Sequence, residues 1–161
     1  MADTPLHFKT IVEMASLIES KALSPVEVTD SALERINQQD PQYKSYATVM
    51  ADQARASARA AEQAIAAGNY LGPLHGVPTA VKDLCFTRGV ASMGATTALM
   101  DHVPDFDCTV VQRLNVACAV ILAKLTAIER SEDPTPELLS HLNLECRPPL
   151  DTDKTTATPV S

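Results

Sequence analysis

Apolar positions along the chain alternate between helical spacing and short uninterrupted runs. In residues 10–20, Ile11, Met14, Ala15 and Ile18 recur at helical spacing and predict a helix with one apolar face. Ser24-Pro25-Val26-Glu27 reads as the start of a second helix. Ser24 can cap, Pro25 suits the first helical position, and Glu27 at the third completes a capping box. That helix is expected to bury Val28, Ala32, Leu33 and Ile36. It is expected to end at Asp40-Pro41, because a residue before proline avoids helical angles. Residues 46–50 are rich in strand formers and predict a short strand. Residues 51–67 hold nine alanines in seventeen positions and predict a helix able to pack closely, stopped at Gly68-Asn69.

The stretch Gly72-Pro73-Leu74-His75-Gly76-Val77-Pro78-Thr79-Ala80-Val81-Lys82-Asp83 organises the rest. It reads as a Gly/Pro turn, then a short apolar strand from Val77 to Val81 with Pro78 near its start, then Lys82 at the strand's end. Residues 84–97 read as a loop over the strand end, where binding residues are often carried. A helix capped by Asp107 follows, with Val110, Val111, Leu114 and Cys118 on its buried side. Residues 119–123 form a continuous apolar run, as in a parallel strand covered on both faces. Strand, helix, strand with apolar runs predicts an α/β fold with a parallel sheet. On residue type alone Lys82 has two readings: a lysine paired with an acid or turned to solvent, or a buried lysine whose ammonium is disfavoured and which can act as a general base.

Composition narrows the function. The chain has 161 residues, enough for one modest domain, and a formal net charge of −7. Lys and Arg form no basic stripe, so nucleic acid is not an expected partner. No apolar run approaches membrane-spanning length and the N-terminus has no signal-peptide pattern, so the expectation is no membrane association and a cytoplasmic location. Cys85, Cys108, Cys118 and Cys146 form no Cys-x-x-Cys pair, and no histidine cluster has metal-ligand spacing. They are expected to be free thiols, with Cys118 a small core residue. Cys85 lies near Lys82 in sequence, and a neighbouring cation can lower a thiol pKa, although apolar packing is the simpler role. No cofactor and no metal are expected.

Residues 72–83 resemble the lysine-bearing segment of the amidase signature family, whose pattern is G-P-L-H-G-V-P-x-x-V-K-D. The resemblance extends over about residues 9–126, through Leu23-Ser-Pro-Val-Glu-Val28, Gly89, Gly94, Asp107-Cys-Thr-Val-Val-Gln-Arg-Leu114 and Ala119-Val-Ile-Leu-Ala-Lys124. It implies the N-terminal part of the amidase signature fold, helices around a parallel or mixed sheet, over residues 1–126. It also implies hydrolysis of carbon–nitrogen (amide) bonds by a Ser-Ser-Lys mechanism, with Lys82 as the catalytic lysine and small-molecule amides as the substrates of full-length relatives. Lys124 holds the family's strand-end position and is not the catalytic lysine. Oligomeric state is open.

Beyond Thr126 the character changes. Residues 127–161 hold five of the eleven prolines and no glycine, and are read as a divergent Pro/Thr-rich tail, irregular and partly disordered, with one short helix at 136–144. The family's Gly/Ser-rich nucleophile segment has no counterpart: no glycine follows Gly94, and Ser131, Ser140 and Ser161 lack its context. The expectation is a truncated chain, inactive alone, with a frameshift as one origin of the tail. The alternative is a non-catalytic, partner-binding fragment of an amidase-like protein.

Overall fold

A computed structural model describes residues 5–94, 99 and 101–127. The expected tail, its helix at 136–144 and Cys146 lie outside the described residues. After a single 3-10 turn, Leu6–Phe8, come α1 (Ile11–Glu19), α2 (Pro25–Tyr43), β1 (Tyr46–Val49), α3 (Ala51–Ala66), β2 (Pro78–Lys82), α4 (Thr109–Val116) and β3 (Val120–Leu125).

The three strands form one mixed sheet in the order β1-β3-β2. β2 and β3 are parallel, joined through α4 as the apolar runs predict, whereas β1 runs antiparallel to β3. The central strand is the most buried element. Val120, Ile121, Leu122, Ala123 and Lys124 are all buried. One face packs Val120, Leu122 and Ala123 against Leu33 and Ile36 of α2 and Ala54 and Ala58 of α3. Ala54 and Ala58 are fully enclosed, so the alanine-rich helix approaches the sheet as closely as its composition allows. The other face sets Ile121 with Val81 and Val111 of α4. A third cluster of Ile18, Leu23, Val28, Ile65 and Val77 closes the end where α1 meets α2 and α3. Each buried Val, Leu or Ile among these contributes on the order of 1.5–3 kcal/mol on leaving water.

Several local expectations are corrected. The complete capping box forms at the start of α1: Thr10 Oγ1 accepts from the Glu13 amide at 3.2 Å while the Glu13 carboxylate accepts from the Thr10 amide at 2.6 Å. At α2, Ser24 Oγ accepts from the Val26 and Glu27 amides and donates to the Glu62 carboxylate of α3, so the cap also ties two helices. α2 does not stop at Asp40-Pro41. It runs through Pro41 to Tyr43 and ends where Lys44 takes a left-handed φ of 50°. Asp40 makes this stop another way: its side chain accepts from the Ser45 and Tyr46 amides, and its carbonyl from the Lys44 amide. α4 is capped at Cys108, not Asp107. The Asp107 carboxylate instead accepts from the Arg88 amide at 2.7 Å and from Asn115 at 3.3 Å, holding the preceding loop to the helix. On α4, Val111 is buried but Val110 is exposed, and on α1 Ile11 is exposed. Cys118 is only half-buried, at a turn with φ 53°.

Two glycines around β2 differ in what a side chain would meet. Gly76 has φ +78°, and a Cβ there would lie 2.7 Å from Pro25 Cγ; Gly68 has φ +91° with nothing within 4 Å. Gly68→Ala is therefore expected to cost only the backbone penalty of about 1–2 kcal/mol. Gly76→Ala adds a clash with a rigid ring and is expected to cost about 2–4 kcal/mol. Urea unfolding midpoints compare the two; equal losses would contradict the close approach.

Candidate active site

The turn before β2 is built on His75. Its ring is fully buried, stacks on Tyr70 at 5.9 Å between centroids, and accepts the Leu71 amide at Nδ1, 3.1 Å. The Gly76 amide donates to the Cys118 carbonyl and the Val120 amide to the Val77 carbonyl, so the turn feeds β2 directly into register with β3. Pro78 pairs with Val120 at the first position of the strand, where a missing amide does least harm.

At the far end, Val81 pairs with Lys124 and Lys82 with Leu125. The parallel arrangement thus brings two lysines to the same end of the sheet, and their environments are opposite. Lys82 is exposed, and its amine makes no hydrogen bond or ion pair among the described residues. Lys124 is fully buried. Its Nζ donates to the Cys85 carbonyl at 2.7 Å and to Ser92 Oγ at 2.5 Å, and lies 3.3 Å from Asp83 Oδ1. Asp83 Oδ2 accepts the Met93 and Gly94 amides at 3.0 and 3.1 Å, and Ser92 Oγ donates onward to the Val90 carbonyl. Taking an ammonium out of water costs several kcal/mol. Here that cost is offset by two charge-assisted hydrogen bonds and one carboxylate.

Of the loop expected at 84–97, residues 84–94 are described, and this network holds them. The segment folds back at a small Thr87–Val90 bridge, and the Ser92 amide donates to the His102 carbonyl, as the Cys108 amide does to that of Phe86. Cys85 and Cys108 pack together with Val81 and Val111. Burial, followed by the neighbouring Cys108, pushes the Cys85 thiol up. The cation acting against this shift is Lys124, not Lys82, and it does not prevail. Cys85 is therefore a packing residue and not an activated thiol. A cavity of about 470 Å³ beside α2, lined by Arg35, Tyr43, Tyr46 and Leu122 among others, does not include Lys82. No group of three or more His, Cys, Asp or Glu among the described residues could hold a metal ion.

Lys82 stands at the end of β2, the position the sequence predicts for it. The partnership of Asp83, Ser92 and Lys124 was not legible in the sequence, although it left one signal: a lysine ending an unbroken apolar run in a strand otherwise read as covered on both faces.

The described core is thus a mixed sheet with Lys82 at the carboxyl end of a parallel strand, after a turn built on buried His75. The sequence model of the Amidase family matches residues 27–131, and the chain belongs to that family. It is 50% identical over 119 residues to a putative amidase, AmiD, of Mycobacterium tuberculosis, covering 74% of this chain and 25% of that protein. It is 42% identical over 124 residues to a glutamyl-tRNA(Gln) amidotransferase polypeptide of Moorella thermoacetica, covering 77% and 26%. Among solved structures, a bacterial aryl acylamidase of the amidase signature enzymes family superposes with a TM-score of 0.71 at 31% identity, over 78% of this chain and 26% of that one. Fatty acid amide hydrolase, at 20% identity and a TM-score of 0.71, shares the fold. The chain spans about a quarter of the length of these relatives.

His75 gives the turn a pH dependence. Burial lowers its pKa from the ordinary 6.5, and protonation would also convert the Nδ1 acceptor into a donor facing the Leu71 amide. The unfolded chain takes up this proton first. The stability His75 contributes is therefore present above about 6.5 and is lost as pH falls below it. Stability measured by urea at pH 7 and pH 5 is expected to fall in the wild-type chain and to fall less in His75→Gln. An identical pH slope in both would show that the ring does not titrate against folding.

Proposed function

We propose that this chain supplies the general-base lysine, Lys82, and part of the pocket wall for amide hydrolysis of the Ser-Ser-Lys type. The observation that carries the reading is the exposed Lys82 at the end of β2, its amine without a partner among the described residues, within a twelve-residue stretch that follows the family's lysine segment. A neutral lysine takes a proton from a bridging serine, which takes one from the nucleophilic serine. The nucleophile adds to the amide carbonyl, the lysine's proton returns through the bridging serine to the nitrogen as the neutral amine leaves, and water hydrolyses the acyl-enzyme. The two serines and the oxyanion hole belong to a Gly/Ser-rich segment that these 161 residues do not contain. The chain by itself is accordingly proposed to be inactive. The substrate class is a small-molecule amide. Relatives are named as an aryl acylamidase and as a glutamyl-tRNA(Gln) amidotransferase. No helix among the described residues is long and apolar enough to cross a membrane.

The test is a chimera in which residues 9–126 replace the corresponding part of the mycobacterial relative. Amide turnover is expected in the chimera. Lys82→Ala is expected to lower kcat by about 10³-fold, within the range for loss of a general base. The 161-residue chain alone is expected to show no turnover above background. Full activity in the Lys82→Ala chimera would refute the assignment of the base. Turnover by the lone chain would reveal a nucleophile within it.

A further inference from the structure

We propose that Lys124 is a positioning residue for Lys82, acting by keeping the Asp83 carboxylate from serving as the counter-ion of Lys82. The inference rests on the reading of Lys82 as a base. Lys82 and Asp83 are neighbours in the chain, and a carboxylate beside a lysine favours its ammonium form, which cannot accept a proton. A base needs that neighbour engaged elsewhere.

The fold does this in two ways. Direction is the first. The Asp83 amide donates to the Leu125 carbonyl at 2.9 Å, carrying the β2–β3 ladder one residue past Lys82. Successive side chains on an extended segment point to opposite faces. Asp83 accordingly goes inward and is buried, while Lys82 goes outward and is exposed. Charge is the second. Asp83 Oδ2 accepts from the Met93 and Gly94 amides, and Oδ1, which accepts no hydrogen bond, is ion-paired with Lys124 at 3.3 Å. Lys124 is anchored independently of Asp83, through the Cys85 carbonyl and Ser92 Oγ, so its charge stays in place. This end of the sheet thus carries two cations and one buried carboxylate, and the carboxylate is committed to the buried cation.

The experiment follows acetylation of the Lys82 amine by a dilute pulse of acetic anhydride at one fixed pH, read by peptide mass spectrometry on the 161-residue chain. Hydrogen exchange of the Asp83 and Val120 amides reports whether the sheet is intact. Lys124→Met leaves the Asp83 carboxylate unneutralised, and Lys82 acetylation is expected to slow about threefold, the effect of one charge at such a separation in a largely solvated setting. Asp83→Asn/Lys124→Met removes both charges and is expected to restore the wild-type rate to within about 1.5-fold, a rescue that a purely structural role for Lys124 would not produce. An unchanged rate in Lys124→Met with the sheet intact would overturn the proposal. So would failure of the double variant to restore the rate. Should Lys124→Met not fold, the double variant decides alone. A rate threefold above wild type there would mean that Asp83 already holds the Lys82 ammonium in the intact chain, and a rate equal to wild type would mean that it does not. The measurement needs no turnover, so it stands or falls separately from the assignment of Lys82 as base.

Discussion

An ammonium buried without partners is unstable, and the end of this sheet is arranged around satisfying the one on Lys124. The residue sits on the central strand and is fully buried, so its amine does not reach solvent. Its three partners come from the ten residues after β2: Asp83, the carbonyl of Cys85 and the hydroxyl of Ser92. To supply them the chain must fold back over the end of β3 immediately after Lys82. The loop is therefore tied to the sheet by a buried charge as well as by apolar contacts, Val90 being buried and Phe86 lying against Phe106. Leu84, within it, is exposed.

The same constraint separates the two lysines. Both stand at the carboxyl end of adjacent parallel strands, where α/β folds place their sites. One has every polar partner it needs and no solvent. The other has solvent and no partner among the described residues. A lysine whose buried amine is held by three partners is poorly placed to exchange protons, which leaves the exposed one as the candidate base.

The regular elements were legible wherever a single local rule decides. Capping by Ser24, the alanine-rich α3, proline at the start of β2 and the apolar run of β3 follow from spacing and backbone chemistry within a few residues. The misreadings arose where two rules compete. Proline discourages a helix at Asp40, yet the helix continues because Asp40 satisfies the amides beyond Lys44 and so moves the stop. Asp107 has the residue type of a cap, yet its carboxylate is taken by the Arg88 amide, a partner nineteen positions away. The site divides in the same way. Lys82 is marked by its immediate neighbours. The role of Lys124 depends on Ser92 and Asp83, which are separated from it by 32 and 41 positions, and periodicity carries no information about such contacts.

The central claim is the division of roles between the two lysines, and the most direct measurement of it is how each reacts in the native wild-type chain and in the same chain unfolded in urea. Competitive acetylation with isotopically distinguishable reagents gives both values for each residue. The account predicts that unfolding accelerates modification of Lys124 by a hundredfold or more and changes that of Lys82 by less than about threefold, as expected for a group released only by opening of the core. Similar protection of the two residues in the native chain would contradict it.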